Sequence, residues 1–238
     1  MKKLLSLSLA SLAFAAVADI TVGVTEVSAT GENTIIPVPY TTIGSTSPVS
    51  VHDLVKAANL KDGTLLYYYN GSSYQVWLKN ESVWTTPDVS TTPAIAGTSV
   101  AQGSSDVSVS VGAALWVCMP GFASASADEK KVFVYGSPVA TKTSTIVKNK
   151  TNLLSNPTEA TVSGDTLAGK LKPDVKDVIM PIGAEFDGTY VYGGSENGWV
   201  HITPGNSPVK NATLPSIGSY QGFWYVSKTA GDNVTINW

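Results

Sequence analysis

The chain has 238 residues, of which 43% are hydrophobic and only 14% charged, with 21 glycines and 13 prolines. A soluble domain ordinarily carries about 25% charged residues, so this surface is neutral and hydroxyl-rich, and collagen-like, coiled-coil and strongly disordered organisations are excluded. The formal net charge is −3 and all 15 basic residues are lysine. That leaves no bidentate guanidinium clamp and no basic stripe of the kind a nucleic-acid binder shows.

Residues 1–18 read as a signal peptide. Lys2 and Lys3 give a positive start, Leu4 to Phe14 form a short apolar run, and Ala16-Val17-Ala18 places small residues where a signal peptidase cleaves, before Asp19. The run is too short to span a bilayer, which takes about 20 residues. No second long apolar segment follows, so the mature chain is expected to lack a transmembrane helix. The expected location is outside the cytoplasm, in the periplasm, on the outer surface or in the medium.

Asn33 to Pro39 opens the mature chain as an extended segment. Ser50 is a suitable cap for a short helix over Val51 to Asn59. Leu65 to Tyr69 and Tyr74 to Leu78 read as tyrosine-rich strands joined through Asn70-Gly71, a strong hairpin signal. Thr85 to Ser105, full of Ser, Thr, Pro and Gly, reads as a long surface loop. Asp106 to Val111 alternates strictly, as a half-buried strand does, and Leu115 to Met119 reads as a buried strand. Phe122 to Asp128 is a loop of small residues, and Val132 to Tyr135 a strand. The pattern then recurs: Asn152 to Pro157, a helix over Thr166 to Leu171 capped by Asp165, strands at Phe186 to Tyr192 and Gly198 to Val200 joined through Gly193-Gly194, then Ile217 to Val226 and Val234 to Trp238. Pro37, Pro39 and Pro157 place their segments at sheet edges or in loops.

The elements therefore repeat in order. The expected fold class is mainly β: two homologous antiparallel β modules, small sandwiches or barrel-like units, over 19–137 and 138–238, each with one short helix. The strands Leu65–Tyr69 and Phe186–Tyr192 are matched through their tyrosines.

The order Gly31-x-Asn33-Thr34-Ile35-Ile36-x-x-Pro39, Tyr67-x-Tyr69, Tyr74-x-x-Trp77 and Gly112-x-x-Leu115-Trp116-Val117 resembles a β module of bacterial secreted and surface proteins. That module reads Gly-Trp-Asn-Leu-Ile-Ser-x-Pro, an aromatic hairpin, then Gly-x-Gly-Tyr-Trp-Val. The second half carries it as Asn152-Leu153-Leu154-x-x-Pro157, Tyr190-x-Tyr192, Trp199 and Gly222-Phe223-Trp224-Tyr225. Glu32 and Thr151 stand where the module has Trp, and the first half lacks the Gly before Leu115. The resemblance implies a compact β unit of envelope or extracellular proteins and carries no active site.

Candidate chemistry is sparse. Cys118 is the only cysteine, so no intramolecular disulfide forms, and its apolar run makes it an inert buried thiol. His52 and His201 fit no ligand spacing, no Gly-x-Ser-x-Gly elbow occurs, and no phosphate-binding glycine loop is present. Asp53, Asp62, Glu81, Glu185 and Asp187 are the acids from which a glycosidase pair would be drawn, Glu185 and Asp187 sharing one strand face. Asp128-Glu129 and Asp174 to Asp177 are too sparse for a calcium loop. The expectation is no catalytic residue, no metal and no cofactor.

The aromatics are the distinctive feature. Tyr67, Tyr69, Tyr74, Trp77 and Trp84 in the first half, and Tyr190, Tyr192 and Trp199 in the second, are the candidate ligand contacts, since such rings stack on sugar faces and anchor protein interfaces. The expected role is a non-enzymatic envelope, cell-surface or extracellular protein, structural or adhesive. The alternative is a glycan- or peptide-binding module using the hairpin aromatics. Val234, Ile236 and Trp238 alternate to a terminal ring as outer-membrane barrel strands do, but the short, unevenly spaced strands disfavour a barrel. Expected partners are a second copy of the chain, surface glycans or other envelope proteins.

Overall fold

The computed structural model describes residues 22–29, 31–51, 53, 60–81, 83–88, 95–99, 107–181 and 188–238. The signal segment, His52, Glu185, Phe186 and Asp187 lie outside the described residues. In the first half the strands are β1 (Gly23–Ser28), β2 (Asn33–Pro37), β3 (Tyr40–Thr41), β4 (Val49–Ser50), β5 (Leu65–Tyr69), β6 (Tyr74–Asn80), β7 (Val83–Asp88), β8 (Ile95–Ser99), β9 (Ser108–Val109), β10 (Ala114–Cys118) and β11 (Lys131–Pro138). In the second they are β12 (Thr143–Ile146), β13 (Thr151–Ser155), β14 (Val178–Pro181), β15 (Thr189–Tyr192), β16 (Trp199–Ile202), β17 (Gly222–Val226) and β18 (Val234–Asn237), with helix α1 (Gly164–Leu171) between β13 and β14. The protein is mainly β and its strand pairs are antiparallel.

One six-stranded sheet runs β2-β10-β5-β6-β7-β8 and one five-stranded sheet runs β13-β17-β14-β15-β16. The first five positions of the two sheets are filled in the same order along the chain. Register agrees as well. Trp116 lies between Ile35 and Tyr67, and Trp224 between Leu153 and Met180. Trp77 opposes Leu66 as Tyr190 opposes Ile179. The Val49–Val109 pair recurs as an isolated bridge between Val162 and Ile217. Smaller ribbons, β1-β11-β3 and β12-β18, complete each half.

Sheet position therefore equates β5 with β14 and β6 with β15, one strand away from the match made through tyrosines. The strand at that position in the second half is Val-Ile-Met-Pro, which keeps the inward aliphatic residue and carries no tyrosine. Strand equivalence follows the buried residues; the tyrosines sit mostly at positions free to vary.

Local chemistry explains most element ends. Asn70 Oδ1 accepts hydrogen bonds from the Ser72 and Ser73 N–H groups while Gly71 takes φ +91°, which closes the β5–β6 hairpin. Helix α1 starts at Gly164, earlier than the Thr166 that a cap at Asp165 would give: Ser163 is the cap, its Oγ accepting from Thr166 N–H. In the first half the Ser50 hydroxyl does the same for Asp53 N–H. The region expected as a loop from Thr85 to Ser105 contains most of β7 and all of β8, because backbone pairing of β7 onto β6 and of β8 onto β7 builds strands there despite weak side-chain patterning. The alternating run from Asp106 pairs over Ser108 and Val109 only.

Each half closes its own core. Leu66, Trp77, Leu115, Val117, Val132 and Val134 are buried in the first; Leu167, Leu171, Ile179, Tyr190, Phe223 and Ile236 in the second. A third small cluster, Ile35, Ala114 and Leu153, joins them, with Trp116 and Trp224 packed against it. It lies on the sheet faces that point away from the two main cores.

The contacts across this junction are reciprocal. The Thr25 hydroxyl of the first half is hydrogen-bonded with the Tyr40 hydroxyl at 2.8 Å and donates to Tyr220 Oη of the second half at 3.3 Å. Ser144, which stands in β12 where Thr25 stands in β1, donates to Gly112 O at 2.9 Å. Gly112 and Tyr220 each lie four residues before the outward tryptophan of their strand, and both take positive φ, +84° and +58°. Such mutual pairing is the geometry of an isologous two-fold interface, here formed within one chain.

Candidate functional site

Alternation along the strands decides which rings reach the surface. In β10, Leu115 and Val117 point into the core and Trp116 points out; in β17, Phe223 and Tyr225 point in and Trp224 out. In β5, Leu66 is fully buried while Tyr67 and Tyr69 take the opposite face. Tyr74 opposes Tyr69 across the hairpin and so shares that face.

Five rings meet there. Tyr67 stacks on Trp116 with centroids 5.0 Å apart at 30°. Tyr74 packs edge-on against Tyr67 at 6.0 Å and tilted on Tyr69 at 4.9 Å. Its centroid lies 6.5 Å from Trp116 and 6.4 Å from Trp224, so it contacts both tryptophans, which hold equivalent places in the halves. Tyr69 also meets Trp224 edge-on at 6.0 Å. Trp116 Nε1 donates to Asn33 Oδ1 at 3.1 Å, which fixes the indole. Tyr74 is 47% exposed and the other four rings are half-buried. Burial, then the neighbouring Cys118, pushes the Tyr67 phenol above its usual value; burial, then Tyr69, does the same to Tyr74.

The other candidate aromatics belong to the interior. Trp77 is 3% exposed and Trp84 8%, both in the first core, and Tyr190 and Trp199 are buried in the second. Tyr192 packs against that core and tilts on Trp199 at 5.3 Å. The candidate set thus divides: Tyr67, Tyr69 and Tyr74 come together on one surface, and the remaining five are core side chains. Trp116 and Trp224 complete the surface and were not among the sequence candidates. The signal that marks them is a lone tryptophan between two inward aliphatic or aromatic residues, Leu-Trp-Val and Phe-Trp-Tyr.

By strand register the side chains sharing this face from β2 to β6 are all uncharged: Asn33 and Ile35, Ala114 and Cys118, Leu65, Val76 and Leu78 flank the rings. Cys118 is half-buried rather than enclosed, because it is the last residue of β10 and lies on the ring face.

Charged residues cluster elsewhere. Asp177 is fully buried and accepts from Tyr225 Oη at 2.6 Å, Lys228 N–H at 2.8 Å and Asp174 N–H at 3.0 Å. Lys148 reaches Asp174 at 2.8 Å and Asp177 at 3.9 Å. These bonds tie the β12–β13 turn, the segment before β14 and the end of β17 together. Asn152 is likewise structural, with its amide bonded to Val147 O, Lys150 O and Tyr225 O. His201 stacks flat on Tyr190 at 4.4 Å. Asp62 and Glu81 are exposed, and the structure does not bring them together with Asp53 in any bonded group. Among the described residues no group of three or more His, Cys, Asp or Glu could hold a metal ion, and no helix is long and apolar enough to cross a membrane. No family model, curated protein or solved structure matches the chain.

Proposed function

We propose that this is an exported, non-enzymatic protein of the bacterial envelope, cell surface or surroundings, with an adhesive role exerted through the five-ring surface at the junction of its two halves. The observation that carries the reading is the contact of the exposed Tyr74 with both Trp116 and Trp224, with uncharged strand neighbours from β2 to β6. Rings presented by paired strands lose little entropy on contact, so they serve recognition better than the same rings on a loop. Export rests on the Lys2-Lys3, apolar run and Ala16-Val17-Ala18 pattern. Duplication of one β unit is favoured by the shared strand order, and it places one outward tryptophan in each half beside the other.

The test is saturable binding of the labelled chain, lacking its first eighteen residues, to whole cells and isolated envelopes of the producing bacterium. Wild type is expected to bind, and Tyr74→Ala and Trp224→Ala to bind at least tenfold more weakly, a change of about 1.4 kcal/mol. Equal binding by all three proteins, or none by wild type, overturns the reading.

A further inference from the structure

The geometry points to a neutral polysaccharide as the ligand of the five-ring surface, an inference that rests on that surface being the contact site. Three features narrow the chemistry. The first is charge. Every side chain that register places around the rings between β2 and β6 is uncharged, so these strands offer no cation to a phosphate, sulfate or carboxylate group, while Glu32, just before β2, brings an acid near Cys118. An anionic ligand would lose hydration there without compensation.

The second is shape. Tyr67 and Trp116 are stacked, 5.0 Å apart at 30°, whereas the Tyr74 contacts with Tyr67 and Trp116 are edge-on. The result is a cluster of rings packed on one another rather than an isolated side chain, with Tyr74 the most exposed. Protein hot spots are built from an anchor that fills a pocket. Pyranose rings instead present flat C–H faces, which the electron-rich face of an aromatic ring attracts, and their rim hydroxyls match neutral groups such as the Asn33 amide and the tyrosine hydroxyls.

The third is repetition. Trp116 and Trp224 occupy equivalent places in the two sheets and contact Tyr74 at 6.5 and 6.4 Å. Equivalent rings from the two halves that meet one exposed tyrosine offer repeated contacts, which suit a ligand built of repeating units. The Asn33 bond to Trp116 and the mutual packing of the other rings hold the cluster in place before the ligand arrives, which lowers the entropic cost of binding.

The experiment is electrophoresis of the full chain through native gels containing hydroxyethyl cellulose, laminarin or galactomannan, followed by tryptophan-fluorescence titration with a hexasaccharide of the retarding polymer. Retardation by at least one of the three is expected, with affinity unchanged by high salt because no ion pair forms. Tyr74→Ala is expected to weaken it at least tenfold and Tyr74→Phe to restore it; Tyr74 is the most exposed ring, so the core survives both changes, as near-ultraviolet circular dichroism will verify. Val24→Ala, on an exposed position of β1, serves as the unaffected control. No retardation in any of the gels, or equal retardation of wild type and Tyr74→Ala, overturns the polysaccharide. If Tyr74-dependent cell binding persists in that case, the contact surface stands and its partner is a protein. If cell binding is also absent, both readings fall.

Discussion

Gly222 of the second half stands so close to Ile35 of the first that a Cβ at Gly222 would lie 2.1 Å from Ile35 Cγ2. The equivalent contact, Ala114 with Leu153, tolerates a methyl group. The two sheets are therefore seated on each other at a distance that one side of the junction sets with a glycine. Gly222 takes no left-handed conformation, so the requirement is space alone.

Gly222→Ala is expected to destabilise the fold by about 1–3 kcal/mol, the usual range for overpacking. Ile35→Ala opens a cavity and costs about 2–5 kcal/mol by itself. In the double variant the new methyl occupies part of the vacated volume, so the two losses should sum to at least about 0.5 kcal/mol more than the double variant loses. Urea unfolding of the four proteins measures this cycle. Strict additivity would mean that the sheets slide apart to admit the methyl, and that the junction is soft.

Gly112 combines both constraints. Its φ is +84° and a Cβ there would fall 2.2 Å from Thr143 O. Gly71 in the β5–β6 turn has φ +91° with open space around it. A left-handed non-glycine residue costs about 1–3 kcal/mol, and Gly71→Ala is expected to show only that. Gly112→Ala adds a backbone collision on the side where Ser144 bonds to Gly112 O, so its loss should exceed that of Gly71→Ala. Thermal unfolding of the two variants gives the order directly, and a reversed order would show that the Gly112–Thr143 approach relaxes freely.

Cys118 offers a test of how open the ring face is. Burial, and secondarily the charge of Glu32, pushes its thiol above the ordinary value. Less thiolate is then present at neutral pH, and thiolate is the reactive form. Reaction with a disulfide reagent should run slower than with free cysteine at neutral pH, accelerate as pH rises past the ordinary thiol range, and quicken in Glu32→Gln. A rate equal to that of free cysteine at neutral pH would contradict this placement.

The β class, the Asn70-Gly71 hairpin, the edge position of Pro37 and the loop position of Pro157 are legible in the residues, because each depends on local backbone chemistry. Which rings face outward was not. Trp77 and Trp84 belong to the same aromatic run as Tyr67 and Tyr69, and only the pairing of Trp77 with Leu66 across the hairpin turns it inward. Trp224 joins Tyr69 and Tyr74 through a junction between chain segments about 150 residues apart, for which no local pattern exists. Strand β8 was hidden for a related reason: its existence rests on backbone pairing with β7, to which the run of Ser, Thr, Pro and Gly gives little side-chain signature.

The Tyr225–Asp177 bond makes a prediction about alkaline stability. Burial, followed by the hydrogen bond to Asp177 and its charge, holds the Tyr225 phenol protonated far above its usual range. An unfolded tyrosine ionises near 10. Below that pH both states keep the proton and the contribution to stability is complete. Above it the unfolded chain releases a proton that the folded chain retains, so unfolding is favoured progressively as pH climbs. Tyr225→Phe is expected to lose about 1–3 kcal/mol at neutral pH, with the bond to a charged group removed, and to show a shallower decline than wild type above pH 10. Asp177→Asn should cost more, about 3–5 kcal/mol, since it leaves the 7%-exposed side chain of Lys148 without one of its two acids. Urea midpoints of the three proteins across the alkaline range measure both effects. Parallel decline in wild type and Tyr225→Phe would show that the phenol at this position ionises as freely in the folded chain as in the unfolded one.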